Sequence, residues 1–239
     1  MLPSKFVACL IVLMTMCFPA LASHEIHPYF GVDQQVNRIR FKHGYGDNLF
    51  PKHHAQINLY SGLKIDDCVA LEFGYLSTVS KSRFVTIGTG DTNLGMALPH
   101  EGSPAVLKSY IKLKGYHLGV VNTYSLPEWE NFRVLGGVGV IVLKAKAERN
   151  CISYSRPPVQ GVVREFKKTK PVIKIMIAPE YMFKNRLGIR SSVCFLNTKT
   201  MKITASHRES TPGKPASIVN PTIRLKDSFV YSLGLFYEF

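Results

Sequence analysis

Apolar side chains recur at every second position through most of this sequence, and this period of two constrains the fold more than any other feature. Successive side chains of a β-strand point to opposite faces of a sheet, so the period predicts strands rather than helices. One clear segment has apolar residues at Val69, Leu71, Phe73 and Tyr75. The positions between them are small or charged, namely Ala70, Glu72 and Gly74. We therefore predict an all-β chain whose strands separate two different environments.

Eight segments follow this pattern, and the connections between them alternate in length. The long connections span residues 42–54, 80–106, 144–170 and 198–226. The short connections span residues 66–67, 125–131 and 184–186. Barrels of bacterial outer membranes show this alternation, with tight turns at the periplasmic end and long loops outside the cell. We predict an eight-stranded antiparallel up-and-down transmembrane β-barrel with both ends of the chain in the periplasm.

A soluble eight-stranded barrel, such as a lipocalin-like carrier, is the alternative, because the period alone does not say which face points inward. Glycine and charged residues share one face of several strands, which suits a narrow lumen filled by side chains. Aromatic residues of the apolar face lie near strand ends, where a barrel in lipid has its girdles. These residues are Phe30, Tyr75, Tyr181, Phe183, Tyr237 and Phe239. Both features favour lipid outside, although the inward face of the Gly-rich strand 132–144 stays open.

The first residues have the order of a secretory signal peptide. Lys5 precedes an apolar run from Phe6 to Phe18, and the letters PALAS then supply a cleavage site. We predict residues 1–22 as a cleaved signal peptide and residues 23–239 as the outer-membrane β-barrel domain of a Gram-negative bacterium. The cysteines of this domain are too few for a disulfide framework, and their fate stays open. They are Cys68, Cys151 and Cys194.

Four stretches carry a family resemblance, at residues 29–36, 71–76, 114–140 and 177–193. The third looks like a strand, an LP turn and a Gly-rich strand, and the fourth looks like paired strands around a short polar turn. Together they resemble the small outer-membrane barrels of the outer-membrane protein A transmembrane-domain and opacity-protein type. The resemblance implies a porin-like fold and a surface antigen of the outer membrane.

The last strand ends in an ordered aromatic pattern. Ser232, Gly234, Tyr237 and Phe239 fit polar-x-Gly-x-x-aromatic-x-aromatic. This pattern looks like the signal that the outer-membrane insertion machinery reads, so we predict these four residues as the insertion signal. We also expect this strand to close the barrel against the strand that begins near Tyr29, with Ser232 and Gly234 facing the lumen.

Charged residues of the small and polar face are expected to pair inside the lumen, because a charge in a narrow interior must be paired or solvated. The predicted network consists of Glu72, Lys112, Lys114, Lys174, Glu180 and Arg190. A narrow pore is the alternative role for this lumen. An eight-stranded barrel is only wide enough for its own side chains, so the pore is the less favoured role.

Basic residues concentrate in the last two long connections. Residues 144–170 carry a net charge of +6 and residues 198–226 a net charge of +5, within a total of +14. The predicted basic loop surface consists of Lys144, Lys146, Arg149, Arg156, Arg164, Lys167, Lys168, Lys170, Lys199, Lys202, Arg208 and Lys214. Its expected partners are lipopolysaccharide phosphates or acidic host glycans, as for an adhesin. We expect a monomer in the lipid bilayer, without a nucleic-acid partner.

We predict a protein that is not an enzyme and that needs no cofactor or metal. The catalytic alternative is a lipid A-directed hydrolase, which would need serine and histidine side chains that face the membrane near one rim. His207, Glu209 and Ser210 lie together, but in a polar loop without strand spacing. His117 and Ser125 are too far apart on their segment to form a local hydrogen bond.

Overall fold

The computed structural model describes residues 26–41, 50–66, 68–79, 81–87, 105–153, 164–199, 201–206 and 222–239. The strands of these ranges are β1 (His27–Arg38), β2 (Arg40–Phe41), β3 (His53–Lys64), β4 (Val69–Thr78), β5 (Lys81–Ile87), β6 (Ala105–Ser125), β7 (Phe132–Ser153), β8 (Arg164–Met182), β9 (Leu187–Asn197), β10 (Met201–Ser206), β11 (Thr222–Lys226) and β12 (Ser228–Glu238). The predicted signal peptide at residues 1–22 lies outside the described residues. Among the residues that are described, no helix is long and apolar enough to cross a membrane.

Eight of the strands form a closed antiparallel ring, in the order β1, β3, β4, β6, β7, β8, β9 and β12. The ring closes because β12 pairs with β9 on one side and with β1 on the other. The register between β1 and β12 runs from Tyr29 opposite Glu238 to Asn37 opposite Val230. Each ring strand has two neighbours, so the backbone hydrogen bonds are satisfied within the barrel. The predicted eight-stranded antiparallel barrel is confirmed, including the pairing of its first and last strands.

The outer face of this ring is apolar. Leu233 and Ile177 each keep 61% of their surface exposed, although both are large hydrophobic residues. We call this face the apolar belt, and its members include Phe30, Val32, Val36, Ile57, Leu59, Phe73, Val138, Ile173, Ile175, Ile177, Ile189, Val193, Leu233 and Leu235. So much contiguous apolar surface is unfavourable in water and favourable in lipid. The outward position of this face excludes the soluble barrel, which would bury it.

Aromatic rings mark both edges of the apolar belt. Rings at the end with the short turns include Tyr124, Trp129, Tyr181, Phe183 and Phe239, and rings at the opposite edge include Tyr75, Tyr116, Phe195 and Phe229. On β7 the belt runs from Phe132 to Val142, which is about 34 Å of strand at about 3.4 Å per residue. At a strand tilt near 40°, this corresponds to a height of about 26 Å, close to the roughly 25 Å of outer-membrane barrels.

Three strands continue far beyond the apolar belt. Strands β6, β7 and β8 contain 21, 22 and 19 residues, about twice the length that a tilted membrane strand requires. Shorter strands extend the sheet there, with β5 on β6, β10 on β8, β11 on β10 and β2 on β11. The prediction of long loops at 80–106, 144–170 and 198–226 is therefore wrong for the described parts of those ranges, which are largely strand.

The two faces of the sheet exchange character in this extension. On β7, Ala145 and Ala147 point inward and are fully buried, whereas Lys144 is exposed on the outer face. The inward side chains form an apolar core that includes Phe41, Phe50, Leu107, Ile111, Leu113, Ile141, Leu143, Phe166, Met201, Ile203, Ile223 and Leu225. The extension is thus built as a sheet in water, with charge outside and hydrocarbon inside, on top of a barrel built for lipid.

Within the membrane part, glycine makes room for a large side chain from a neighbouring strand. The ring of Tyr29 lies over Gly62, and the ring of Tyr60 lies over Gly31. A Cβ atom at position 62 would overlap the Tyr29 ring. That ring is held in place, because it packs edge-on against Tyr60 at 6.3 Å and donates a hydrogen bond to Glu72. Small and large residues therefore interdigitate to fill the lumen.

We expect Gly62→Ala to destabilise the barrel by about 1–3 kcal/mol, the usual cost of overpacking a filled interior. Gly136→Ala is the matched control, since a Cβ atom at that position meets nothing within 4 Å. Unfolding by urea, followed through the fluorescence of the single tryptophan, measures both changes. Adding Tyr29→Leu to Gly62→Ala should cost less than the sum of the two single changes, because the pair competes for one space. Equal unfolding midpoints for the two glycine variants would contradict this packing.

Candidate functional site

Four charged side chains meet in the lumen around Arg190. The Arg190 guanidinium places Nη1 2.6 Å from Glu72 Oε2 and Nε 2.5 Å from Glu180 Oε1. Lys174 approaches the same Glu72 carboxylate, with 3.8 Å between Nζ and Oε1. Each of Glu72, Glu180 and Arg190 keeps only 2% of its surface exposed. Such deeply buried charges are tolerated because each one faces an opposite charge.

The strand register explains how these residues meet. Glu180 on β8 is directly opposite Arg190 on β9, and Arg133 on β7 is directly opposite Glu180. The Arg133 Nε donates to Glu180 Oε2 at 2.6 Å, while its Nη2 donates to Glu238 at 3.0 Å. Glu238 also accepts a hydrogen bond from Lys64. The ion pairs therefore form one chain of contacts from the middle of the lumen to its short-turn rim.

Aromatic rings complete the surroundings of the Arg190 guanidinium. The guanidinium carbon lies 4.3 Å from the centre of the Tyr60 ring, and farther from Tyr29 and Phe236, at 5.6 Å and 5.8 Å. Ring faces attract a cation and exclude water, so they contribute to its stabilisation without needing a further carboxylate. Arg190 is consequently held from several directions, by two carboxylates and three rings.

The structure corrects two members of the predicted lumen network. Lys112 and Lys114 alternate with the buried residues Ile111 and Leu113 and point to the outer face of β6. The sequence predicts them as inward because charge marks the lumen side on the other strands. On β6 both lysines lie beyond the apolar belt, where the outer face is in water and charge is favourable outside.

Arg133 was missed because the inward face of the Gly-rich strand had been left open. The structure settles that face, with Leu135, Gly137 and Ile141 pointing inward on the same side as Arg133. A usable signal was present in the sequence. The short turn at 125–131 and the pairing of β7 with β8 place Arg133 level with Glu180, so an opposite charge was available at that level.

Side chains fill the described part of the lumen around Arg190. Two small cavities there have volumes of about 10 Å³ each, space for roughly one water molecule. One lies beside Glu72, His117 and Lys174, and the other lies beside Arg133 and Glu180. The apolar core of the extension covers them on the side away from the short turns. A wide pore would need more space than the lumen has at these two levels.

A second group of charges lies on the outer face, directly beyond the apolar belt. We call it the cationic band, and it consists of Lys108, Lys112, Lys114, Lys144, Lys146 and Lys167. In the register, Lys112 is opposite Lys146, which is opposite Lys167. Three cations therefore lie side by side across β6, β7 and β8. The band begins one step above the row of Tyr116 and Val142 that ends the belt.

Two glutamates neutralise one corner of the cationic band. Lys146 Nζ lies 2.8 Å from Glu165 and 3.4 Å from Glu148, and Lys167 Nζ lies 2.7 Å from Glu165. The hydrogen bond to Lys146 lowers the pKa of Glu165 and raises the pKa of Lys146, so both stay ionised in neutral water. Among the described residues, Lys112, Lys114 and Lys144 have no carboxylate within ion-pair distance.

The other predicted basic residues are dispersed. Lys168 and Lys199 are exposed, and Lys202 is exposed on β10 opposite Arg224 of β11. Lys170 donates to the backbone carbonyl of Thr198 at 2.8 Å. Arg149 and Arg164 belong to strands, but their side chains are outside the described set, as are Arg156, Arg208 and Lys214 altogether.

The four residues of the predicted insertion signal divide between the two faces of β12. Ser232 is buried in the lumen and shares a hydrogen bond with Ser192, and Gly234 lies close to Asp33 on the same face. Tyr237 and Phe239 pack edge-on at 5.1 Å at the short-turn rim. The placement of these side chains matches the expected faces, while recognition by the insertion machinery stays a prediction.

The residues considered for catalysis are not brought together in the described part of the chain. His117 is buried in the lumen, with Nε2 3.0 Å from Asn58 Oδ1, so it does not face the membrane. Ser125 is exposed at the short-turn end of β6. His207, Glu209 and Ser210 lie outside the described residues. Of the cysteines, Cys68 is exposed and Cys194 is buried, both as free thiols.

Comparison with known proteins finds solved barrels of similar architecture, whereas no family model and no curated protein matches the chain. Ail, the attachment invasion locus protein of Yersinia pestis solved with the heparin analogue sucrose octasulfate, is 11% identical, with 89% of this chain and 99% of Ail covered and a TM-score of 0.44. The outer membrane protein OprG from Pseudomonas aeruginosa is 12% identical, with 90% and 95% covered and a TM-score of 0.49. The outer membrane protease OmpT from Escherichia coli is 10% identical, with 90% and 95% covered and a TM-score of 0.45. At such identities and scores, neither ligand nor activity follows from the likeness.

We expect Arg190→Met to destabilise the barrel by about 3–5 kcal/mol, because it leaves Glu72 and Glu180 buried without their main partner. Adding Glu72→Gln and Lys174→Met should recover part of this loss, since the Glu72 carboxylate and the Lys174 ammonium beside it are then both removed, while Glu180 keeps Arg133. Lys184→Met, in a short turn, is the matched control. Urea unfolding in detergent micelles compares the four proteins, and a triple variant no more stable than Arg190→Met would contradict the charge balance described here.

Proposed function

We propose that this chain is an integral outer-membrane protein that presents a basic, non-catalytic surface to lipopolysaccharide and to acidic glycans outside the cell. The observation that carries the proposal is the change of polarity along β6, β7 and β8. An apolar outer face of about one membrane thickness is followed directly by lysines on the same face. The short turns then lie in the periplasm and the long strands project outward.

The projecting part supports binding rather than catalysis or conduction. Its interior is a packed apolar core and the lumen below it is filled, so its outer surface is what remains available to a partner. Lys202 and Arg224 are exposed on the outer face there, Lys168 is exposed as well, and none of the three forms an ion pair with another described residue. Exposed cations without a carboxylate partner attract sulfate and carboxylate groups of acidic polysaccharides. An adhesin-like role follows from this chemistry.

Export and insertion complete the proposal. Residues 1–22 would direct the chain out of the cytoplasm, and the pattern ending at Phe239 would be read by the outer-membrane insertion machinery. The closed ring satisfies its own backbone hydrogen bonds, which favours a monomer in the bilayer.

The position of the bilayer is tested by an arginine at two depths on one face of β8. Ile175→Arg places a charge in the middle of the apolar belt and should cost about 2–4 kcal/mol of folding free energy in lipid vesicles. Thr169→Arg places the same charge level with Lys144, above the belt, and should cost roughly 0–1 kcal/mol. Equal losses at the two positions would mean that the apolar belt does not lie in lipid.

Glycan binding is tested by reversing three exposed charges. The variant Lys168→Glu, Lys202→Glu and Arg224→Glu should bind heparin, used here as a sulfated glycan, at least about tenfold more weakly, since each lost charge-assisted contact is worth about that factor. Added salt should weaken the native protein's binding as well, because exposed charges are screened. Lys202→Glu alone is compared with Lys184→Glu at the opposite end, which should leave binding unchanged. Undiminished binding by the triple variant would reject the glycan role.

A further inference from the structure

We propose that a groove in the outer wall of the barrel holds the phosphate groups of an outer-leaflet glycolipid, whose acyl chains lie on the apolar belt beneath it. The groove has a volume of about 640 Å³. Its lining includes Tyr110, Lys112, Lys114, Lys144, Lys146 and Glu148. This inference deepens the proposed function by naming a lipid and a site for it, and it rests on the outer-membrane placement made there.

The strand register brings like charges together in this groove. Lys112 is directly opposite Lys146, and Lys114 is directly opposite Lys144. Like charges at directly opposite positions of two strands destabilise a sheet. Two such pairs follow each other on the same face, so four ammonium groups repel one another within the groove. An anion between the four ammonium groups would turn this repulsion into attraction.

The acidic residues of the wall leave the lower part of the groove uncompensated. Glu148 lies at the upper end, where it accepts a hydrogen bond from Tyr110 at 2.5 Å and faces Lys146. Lys146 is further occupied by Glu165. Lys114 and Lys144 form the row nearest the membrane, and no described carboxylate reaches them. The anion is therefore expected at the membrane side of the groove rather than at its outer end.

The surface below the groove distinguishes a lipid from a free polysaccharide. Tyr116 and Val142 lie one step below Lys114 and Lys144 on the same face of the same two strands. Tyr116 is flanked by Tyr75 and Phe73, with ring centres at 5.0 Å and 6.3 Å. Apolar side chains continue from there down the belt. A ligand that fills both regions needs a phosphorylated head group and hydrocarbon chains in one molecule.

The site is tested with bis-phosphorylated lipid A and with the same lipid A after enzymatic removal of its phosphates. The purified full-length protein, folded in a neutral detergent, is titrated with each lipid, and retained lipid is counted by native mass spectrometry. The native protein should prefer the phosphorylated lipid at least about tenfold, as expected when one or more charge-assisted contacts are lost. Equal affinity for the two lipids would overturn the proposal.

Variants then locate the site on the wall. Lys112→Gln, Lys114→Gln and Lys144→Gln together should abolish most of the preference for phosphate, whereas Lys112→Arg, Lys114→Arg and Lys144→Arg should keep it. The matched control Lys202→Gln with Arg224→Gln removes two exposed charges of β10 and β11 that do not line the groove, and it should keep the preference as well. Heat-dependent gel mobility checks that each variant is a folded barrel. If the glutamine triple does not fold, Lys114→Gln with Lys144→Gln replaces it at the row nearest the membrane.

A heparin-binding measurement on the same variants separates this inference from the proposed glycan role. Loss of lipid A binding with unchanged heparin binding supports the wall groove. Equal loss of both ligands would mean that the groove is a general anion surface, and the lipid assignment would be withdrawn. A groove variant that keeps the full phosphate preference would refute the site, whatever the outcome for heparin.

Discussion

Each long strand of this barrel meets two solvents in turn, and most of the structure follows from that constraint. The side-chain period of two never changes along β7, yet the face that is apolar in the belt becomes charged after Val142. The opposite face begins at the charged Arg133, continues through the glycines at 137 and 139, and becomes apolar and buried at Ala145 and Ala147. One continuous hydrogen-bonded sheet can therefore be stable in both media without an intervening domain boundary.

In the part of the barrel that faces lipid, the charged side chains lie inside the lumen. Burying an ion pair contributes little by itself, because desolvation offsets most of the attraction between its members. The Arg190 guanidinium links two strands of this interior, since it pairs with Glu72 and Glu180 at once and all three residues are buried. The rings of Tyr60 and Tyr29 exclude water from the same place. The interior is consequently specific in its partners and is filled by side chains around Arg190.

Much of the ring could be predicted from the sequence, because alternation and turn lengths are local properties. The faces of β4 and the closure of β12 on β1 were both accessible in this way. The extension could not be predicted in this way, because charged residues are also typical of loops and of a polar lumen. Polar and apolar residues alternate strictly from Lys144 to Ala147. The apolar residues there are small alanines, however, so the pattern predicts a strand only weakly. Only the pairing of β6 with β7 shows that Lys112 and Lys114 share the outer wall with Lys144.

The fit of glycine against aromatic rings inside the barrel has a consequence for how this sequence can diverge. Gly62 admits a side chain only if Tyr29 becomes smaller, and the same reciprocity holds for Gly31 with Tyr60 and for Gly188 with Phe236. The two residues of each such pair would change together, because the size of one side chain limits the size of its neighbour on the adjacent strand. Belt residues such as Ile175 and Leu233 face fluid lipid and can interchange among apolar residues one at a time. Interior residues would therefore be substituted slowly and in pairs. Outer residues of the belt would be substituted independently, provided that they stay apolar.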